Sequence, residues 1–206
     1  MRSVALVARN GRRAGVVIWV ALTIGFLPIA SSATETPLPP QAAPSAEPTL
    51  QPSTLEINGE ALRIGVIPQW LRFEDGPTVI FAPANGRAQL FGESHVLYGI
   101  EIGVKRTVRR DISGAFEDVI QGLKTTNAEF RSASITRLVK LAGHLGIRGT
   151  FSNNSRVTGR PEFVIVAAAP VEGGVTMYVM GVAPHEQFGT FRPTFEATLL
   201  SLEKVR

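Results

Sequence analysis

The chain contains no cysteine in 206 residues. Disulfides are excluded, although an exported compartment would allow them, and so is a lipid-anchored cysteine at the end of a leader. Histidine is scarce. His95, His144 and His185 are isolated in sequence, and with no cysteine beside them they form no obvious ligand set, so no metal or other cofactor is expected. A basic excess is missing from most of the chain. There are 21 Lys+Arg and 17 Asp+Glu, but Arg2, Arg9, Arg12 and Arg13 precede Thr34 and no acid does, so the remainder balances at 17 against 17. Nucleic-acid binders normally carry a basic excess on the folded part, and no nucleic-acid partner is expected. The G-x-S-x-G elbow is absent. Gly143-x-x-Gly146-x-x-Gly149 lacks the lysine and Ser/Thr of a phosphate-binding loop, and it reads as turn and backbone packing.

What is present begins with an export segment. The four early arginines precede an apolar run from Ala14 to Ala30, and Ser31-Ser32-Ala33 suits cleavage after Ala33. An uncleaved single-span anchor is the rival reading. A run interrupted by Pro28 is short against the roughly 20 residues a bilayer needs, which favours cleavage. Residues 1–33 are thus a signal peptide or N-terminal anchor. Residues 34–54 are a Pro-rich tether, with Pro37, Pro39, Pro40, Pro44, Pro48 and Pro52 among small polar residues. Residues 55–206 have the length of one domain.

The stretch Glu162–Leu202 organises that domain. EFVIVAAAP and VTMYVMGVA read as strands buried on both faces, joined by Val171-Glu172-Gly173-Gly174. Phe188, Phe191, Phe195, Leu199 and Leu202 then step at helical spacing, and Pro193 sets the expected helix start near Arg192. Upstream, Ala61–Ile67, Leu71–Glu74 and Thr78–Ala82 read as strands, with Asn85-Gly86 as a turn. Val96–Thr107 reads as one long strand. Tyr98, Ile100, Ile102 and Val104 face a core, and Gly99, Glu101, Gly103 and Lys105 take the exposed side. Ile112–Thr125 is a helix capped by Asp111 or Ser113, and Ile135–Leu141 and Ile147–Asn153 are further strands. Short connections favour an α+β fold with a mainly antiparallel sheet.

Three stretches together resemble the PsbP/Mog1-like superfamily. They are the aliphatic strand ending in Pro68-x-Trp70, the strand Tyr98–Val104 with the helix holding Phe116 and Leu123, and the closing segment Val182-Ala183-Pro184 through Phe188, Phe191, Pro193, Phe195, Leu199 and Leu202. The stretches from His95 to Gly103, Asn154 to Pro161 and Ala183 to Phe195 are similar to C-terminal modules of some bacterial envelope metallopeptidases, whose peptidase part is absent here. The resemblance implies a central antiparallel sheet with helices packed on its faces. It carries over no binding residue, because function does not follow from fold.

Candidate chemistry is sparse. His185-Glu186-Gln187-Phe188-Gly189 begins like H-E-x-x-H, but Gly189 stands where the second ligand belongs. Ser94 and His95 are neighbours, and neighbours on a strand point to opposite faces. Trp70 and the phenylalanine stripe could line an apolar pocket, although aromatics at that spacing are more often core. Lys105, Arg106, Arg109 and Arg110 form the dense basic cluster and are the candidate partner-binding residues, offset by Glu101, Asp111, Glu117 and Asp118. The polar side chains are expected to be scattered, with no polar cleft. The resulting expectation is a non-enzymatic, periplasmic or secreted binding or assembly module whose partner is an envelope protein. It would touch a membrane only through an uncleaved N-terminal segment. A hydrolase with an unrecognised site, or a carrier with a cavity under the last helix, are the alternatives.

Overall fold

The computed structural model describes residues 48–90 and 92–205. The export segment and most of the tether lie outside the described residues. Thirteen strands and two helices follow, and every strand pairing among them is antiparallel.

β1 (Gln51–Ile57) and β2 (Glu60–Val66) form a hairpin closed by Asn58-Gly59, both at positive φ. Asn-Gly suits such a turn because both central residues must be left-handed. The last four residues of the expected tether, Gln51–Thr54, therefore belong to a strand. Pro52 is tolerated because β1 is an edge, where a missing N–H breaks no interior ladder.

β3 (Leu71–Asp75), β4 (Thr78–Ala82) and β7 (Gly99–Arg106) build one side of the large sheet, and β5 (Arg87–Leu90) and β6 (Glu93–Val96) make a separate hairpin between β4 and β7. The expected long strand is thus broken at Leu97-Tyr98. Both of those N–H groups donate to the Gly86 carbonyl, at 2.8 and 3.1 Å, which turns the chain.

α1 (Ile112–Thr126) starts at Asp111, whose carboxylate accepts from the Gly114 N–H at 2.8 Å. β8 (Arg131–Ser132) and β9 (Arg137–Leu141) both pair with β10 (His144–Asn154), which leads to β11 (Pro161–Val171) and β12 (Val175–Pro184). After a 3-10 turn at His185–Gln187, α2 (Phe188–Leu200) runs into β13 (Glu203–Lys204), which pairs with β2. The α2 start differs from expectation, for Pro193 lies inside the helix. Its ring removes the bond to the Gly189 carbonyl, and both residues are exposed, so water can satisfy that carbonyl.

The large sheet runs β3-β4-β7-β12-β11-β10-β8. One face carries Ile100, Ile102, Ile165, Ala167, Ala169, Met177 and Val179, in one core with α2 and the β1–β2 hairpin. The other face carries Val164, Val166, Ala168 and Val182 under α1, with Phe130 and Phe151 alongside. Trp70 is core: it stacks on Phe191 at 6.3 Å, and Tyr98 meets the same ring edge-on at 5.2 Å. Phe191 and Phe195 are fully buried and press on Gly181, where a Cβ would collide with the Phe195 ring. That packing fills the sheet beneath the middle of α2, while a polar-rimmed hollow of about 190 Å³ remains between Ile165 and the α2 residues Arg192 and Glu196.

Gly181→Ala should therefore destabilise the domain by about 1–3 kcal/mol, the usual range for overpacking. The readout is a lower urea midpoint at unchanged slope. A midpoint equal to that of the wild type would show that α2 has slack over this strand.

Candidate functional site

The basic cluster lies on the connection from β7 to α1, and one carboxylate organises it. Asp118 on α1 accepts from the backbone N–H of Val108 at 3.0 Å and of Arg109 at 3.2 Å. It also accepts from the Arg109 guanidinium, Nε at 2.9 Å and Nη2 at 2.7 Å, while Arg109 Nη1 reaches Glu117 at 2.5 Å. These bonds, with the Arg109 side chain foremost, hold the Asp118 carboxyl below the usual range. On the strand side, Thr107 Oγ1 and Thr176 Oγ1 are 2.8 Å apart. The loop is stapled at both ends.

The four candidates consequently separate. Arg109 is an internal fastener. Lys105 lies along Gly122 and donates to the Asp118 main-chain oxygen at 3.3 Å. Arg106 and Arg110 are exposed, and between them stands Val108, 93% exposed. An apolar side chain held out on a fixed loop between two cations loses little freedom when something covers it. Val108 carried no periodic signal in the sequence. Glu101 lines a hollow with Lys105 beside α1 but makes no ion pair with it.

A second feature corrects the expectation of scattered polar groups. On the α1 face, His95, Glu101, Asn153, Ser155 and Glu162 line one cavity of about 190 Å³. β6 supplies His95, β7 supplies Glu101, the end of β10 supplies Asn153, and β11 supplies Glu162. Glu101 accepts from the Tyr178 hydroxyl at 2.7 Å, and that ring fits because position 103 is glycine. Glu162 accepts from Asn153 Nδ2 at 2.8 Å. His95 Nε2 and Asn153 Oδ1 are buried with no hydrogen-bond partner. Burial pushes both glutamate carboxyls above their ordinary range; for Glu101 the tyrosine bond opposes this and the Asp75 charge adds to it.

The remaining candidates stay apart. Ser94 Oγ accepts from Arg87 Nε at 3.1 Å, so a cation holds it. His185 is exposed and stacks on Phe163 at 5.1 Å, and His144 opens β10. Among the described residues no group of three or more His, Asp or Glu is placed to hold a metal ion. No helix among them is long and apolar enough to cross a membrane.

Neither a family model nor a curated protein matches the sequence. Solved structures do. The Ran-binding protein Mog1p of Saccharomyces cerevisiae is 10% identical with a TM-score of 0.50, over 75% of this chain and 96% of that one. Cyanobacterial PsbP from Synechocystis is 9% identical with a TM-score of 0.50, over 82% of this chain and all of that one, 100%. A Bacteroides thetaiotaomicron structure is 14% identical with a TM-score of 0.40; the match covers 70% of this chain and 45% of that chain. The fold is α+β and PsbP/Mog1-like. At these identities the likeness shows the fold alone.

The raised Glu101 value has a sign that can be tested. Between its unfolded and folded values the folded state binds more protons, so stability falls as pH rises through that window, and the cost is complete above it. Glu101→Gln should raise the melting temperature at pH 7, and the gain should vanish below the ordinary glutamate range. A gap between variant and wild type that does not change with pH would contradict the burial argument.

Proposed function

We propose that the chain is a non-catalytic protein-binding or assembly module of the bacterial cell envelope, exported by its N-terminal segment and held on the Pro-rich tether. The observation that carries this reading is the presentation of Val108, 93% exposed on a loop fixed by Asp118. A loop already fixed in one conformation loses little freedom when a protein partner covers it. The partner surface that fits is an apolar cleft for Val108 with acidic groups on its rim for Arg106 and Arg110, while Lys105 and Arg109 keep the loop in shape. Mog1p, similar in fold, is named for binding Ran, a precedent for protein binding on this scaffold. An envelope metallopeptidase engaged in trans is a partner of the required kind, given the resemblance around His95, Asn154 and Ala183.

A photo-crosslinking residue placed at Val108 in the living cell should yield one discrete protein adduct. Arg106→Glu with Arg110→Glu should lower its yield about tenfold, as loss of complementary charge does at interfaces. No adduct at that position, or turnover of a small substrate by the purified chain, would reject the reading. Fractionation offers a separate check: the protein should leave the cytosol and begin at Thr34, and a purely cytosolic location would rule out the envelope assignment.

A further inference from the structure

The hollow on the α1 face plays no part in partner binding by the Val108 loop, and its chemistry is lopsided. Three carboxylates line it, Glu93, Glu101 and Glu162, against one guanidinium, Arg156. Arg156 stands 3.9 Å from Glu93, on the exposed side. Among the described residues no ion pair involves Glu101 or Glu162. Lys105, on the same strand as Glu101, directs its amine to the Asp118 main-chain oxygen instead. At the two inner glutamates the nearest donors are already used, since Tyr178 gives its hydroxyl proton to Glu101 and Asn153 gives its amide to Glu162; the Arg156 guanidinium, at the rim, lies toward Glu93, and Ser155 adds a hydroxyl. What is left over is acceptor capacity: carboxylate lone pairs, the unpartnered Asn153 Oδ1, and His95 Nε2 when the other ring nitrogen carries the proton. The remaining wall is hydrocarbon, from Leu123, Phe130, Val164, Met180 and Val182.

We infer that this hollow is a binding site for a small organic amine, a primary ammonium carried on an apolar body of about one ring. The ammonium brings one positive charge and three N–H donors to a site with three carboxylates against one guanidinium and two buried acceptor atoms without partners. A carboxylate ligand would face three like charges. A neutral ligand would leave Glu101 and Glu162 without a counter-charge, the costly state for a buried ion. A metal ion is the poorer fit, because no group of three or more His, Asp or Glu converges among the described residues. Size sets the rest. A cavity of about 150 Å³ accepts a benzene ring, and this one, at about 190 Å³, adds room for an aminomethyl group. Burial raises both glutamates and so burdens the empty protein. Residues kept at such a cost are often kept for binding.

Calorimetric titration of the full chain at pH 7 decides the matter with three isosteric probes: benzylamine, benzyl alcohol and benzoate. Benzylamine should bind with Kd on the order of 1 mM or tighter, as suits a ligand of about eight heavy atoms. Benzyl alcohol and benzoate should bind at least about tenfold more weakly, one lost charge pairing. Glu162→Gln and Glu101→Gln should each melt higher than the wild type without ligand, yet lose the benzylamine affinity. That combination distinguishes a binding role from a structural one. No benzylamine binding in that range, equal binding of benzyl alcohol, or unchanged affinity in both variants would overturn the inference. Should a variant fail to fold, nuclear Overhauser contacts in the wild type decide the location. Contacts from the benzylamine ring to the Met180 methyl support the site, and contacts elsewhere refute it.

Discussion

The structure depends on the central strand pair β11–β12 being covered on both faces. Their register joins Glu162 to Pro184 and runs through to Val171 and Val175. Odd-numbered positions such as Ile165, Ala167 and Val179 serve one core, and even-numbered ones such as Val164, Val166 and Val182 serve the other. A sheet of this kind cannot stand with one face wet, so each helix is required by the strands beneath it. Side-chain size then sets how near each helix comes. Small residues, Gly181 and Ala183, lie on the α2 side, and the two fully buried phenylalanines descend on them. On the α1 side the polar Glu101, Tyr178 and Glu162 interrupt the packing, and cavities remain. The difference between the two sides is a difference in side chains, with the backbone ladder common to both.

Acidic residues do opposite work in two places. Asp118 is half-exposed, paired with a guanidinium and two main-chain N–H groups, and its charge is welcome. Glu101 is taken from water with only a tyrosine hydroxyl for company, and its charge is opposed. The first arrangement shapes a loop at the cost of surface ion pairs, which are weak singly and gain by sharing one hub. The second holds back free energy that a bound cation can release. One region of α1, with Asp118 and Leu123 about a turn apart, borders both.

Much of the fold was legible from pattern alone. The β11–β12 hairpin showed as two apolar runs around Gly173-Gly174, and α1 showed as Phe116, Val119, Ile120 and Leu123 on one stripe with Asp111 as cap. The misses have particular causes. β1 was hidden in proline-rich composition, although Asn58-Gly59 marked a hairpin there. Pro193 suggested a later helix start, because a proline facing solvent costs less than the rule assumes. The alternation through Gly99, Glu101 and Gly103 was read correctly as two faces, but period cannot say what covers the second one. The hollow was illegible for a related reason. His95, Glu101, Asn153 and Glu162 sit on four strands, and only tertiary pairing brings them together. A charged residue between two glycines on an otherwise buried strand was the available clue, and it pointed to the right place.

The last strand has a consequence for how the chain is made. β13 adds to β2 across a long separation: Arg63 meets Glu203, 140 residues away, and Glu60 meets Lys204 across 144. The small sheet therefore stays incomplete until residue 203 has been synthesised. At ordinary elongation rates that gap lasts roughly 7 to 28 seconds after residue 63 appears. Contacts of such high order also form late in folding. Until the C-terminal residues arrive, β2 therefore carries an unpaired edge, the kind of backbone that readily recruits another strand.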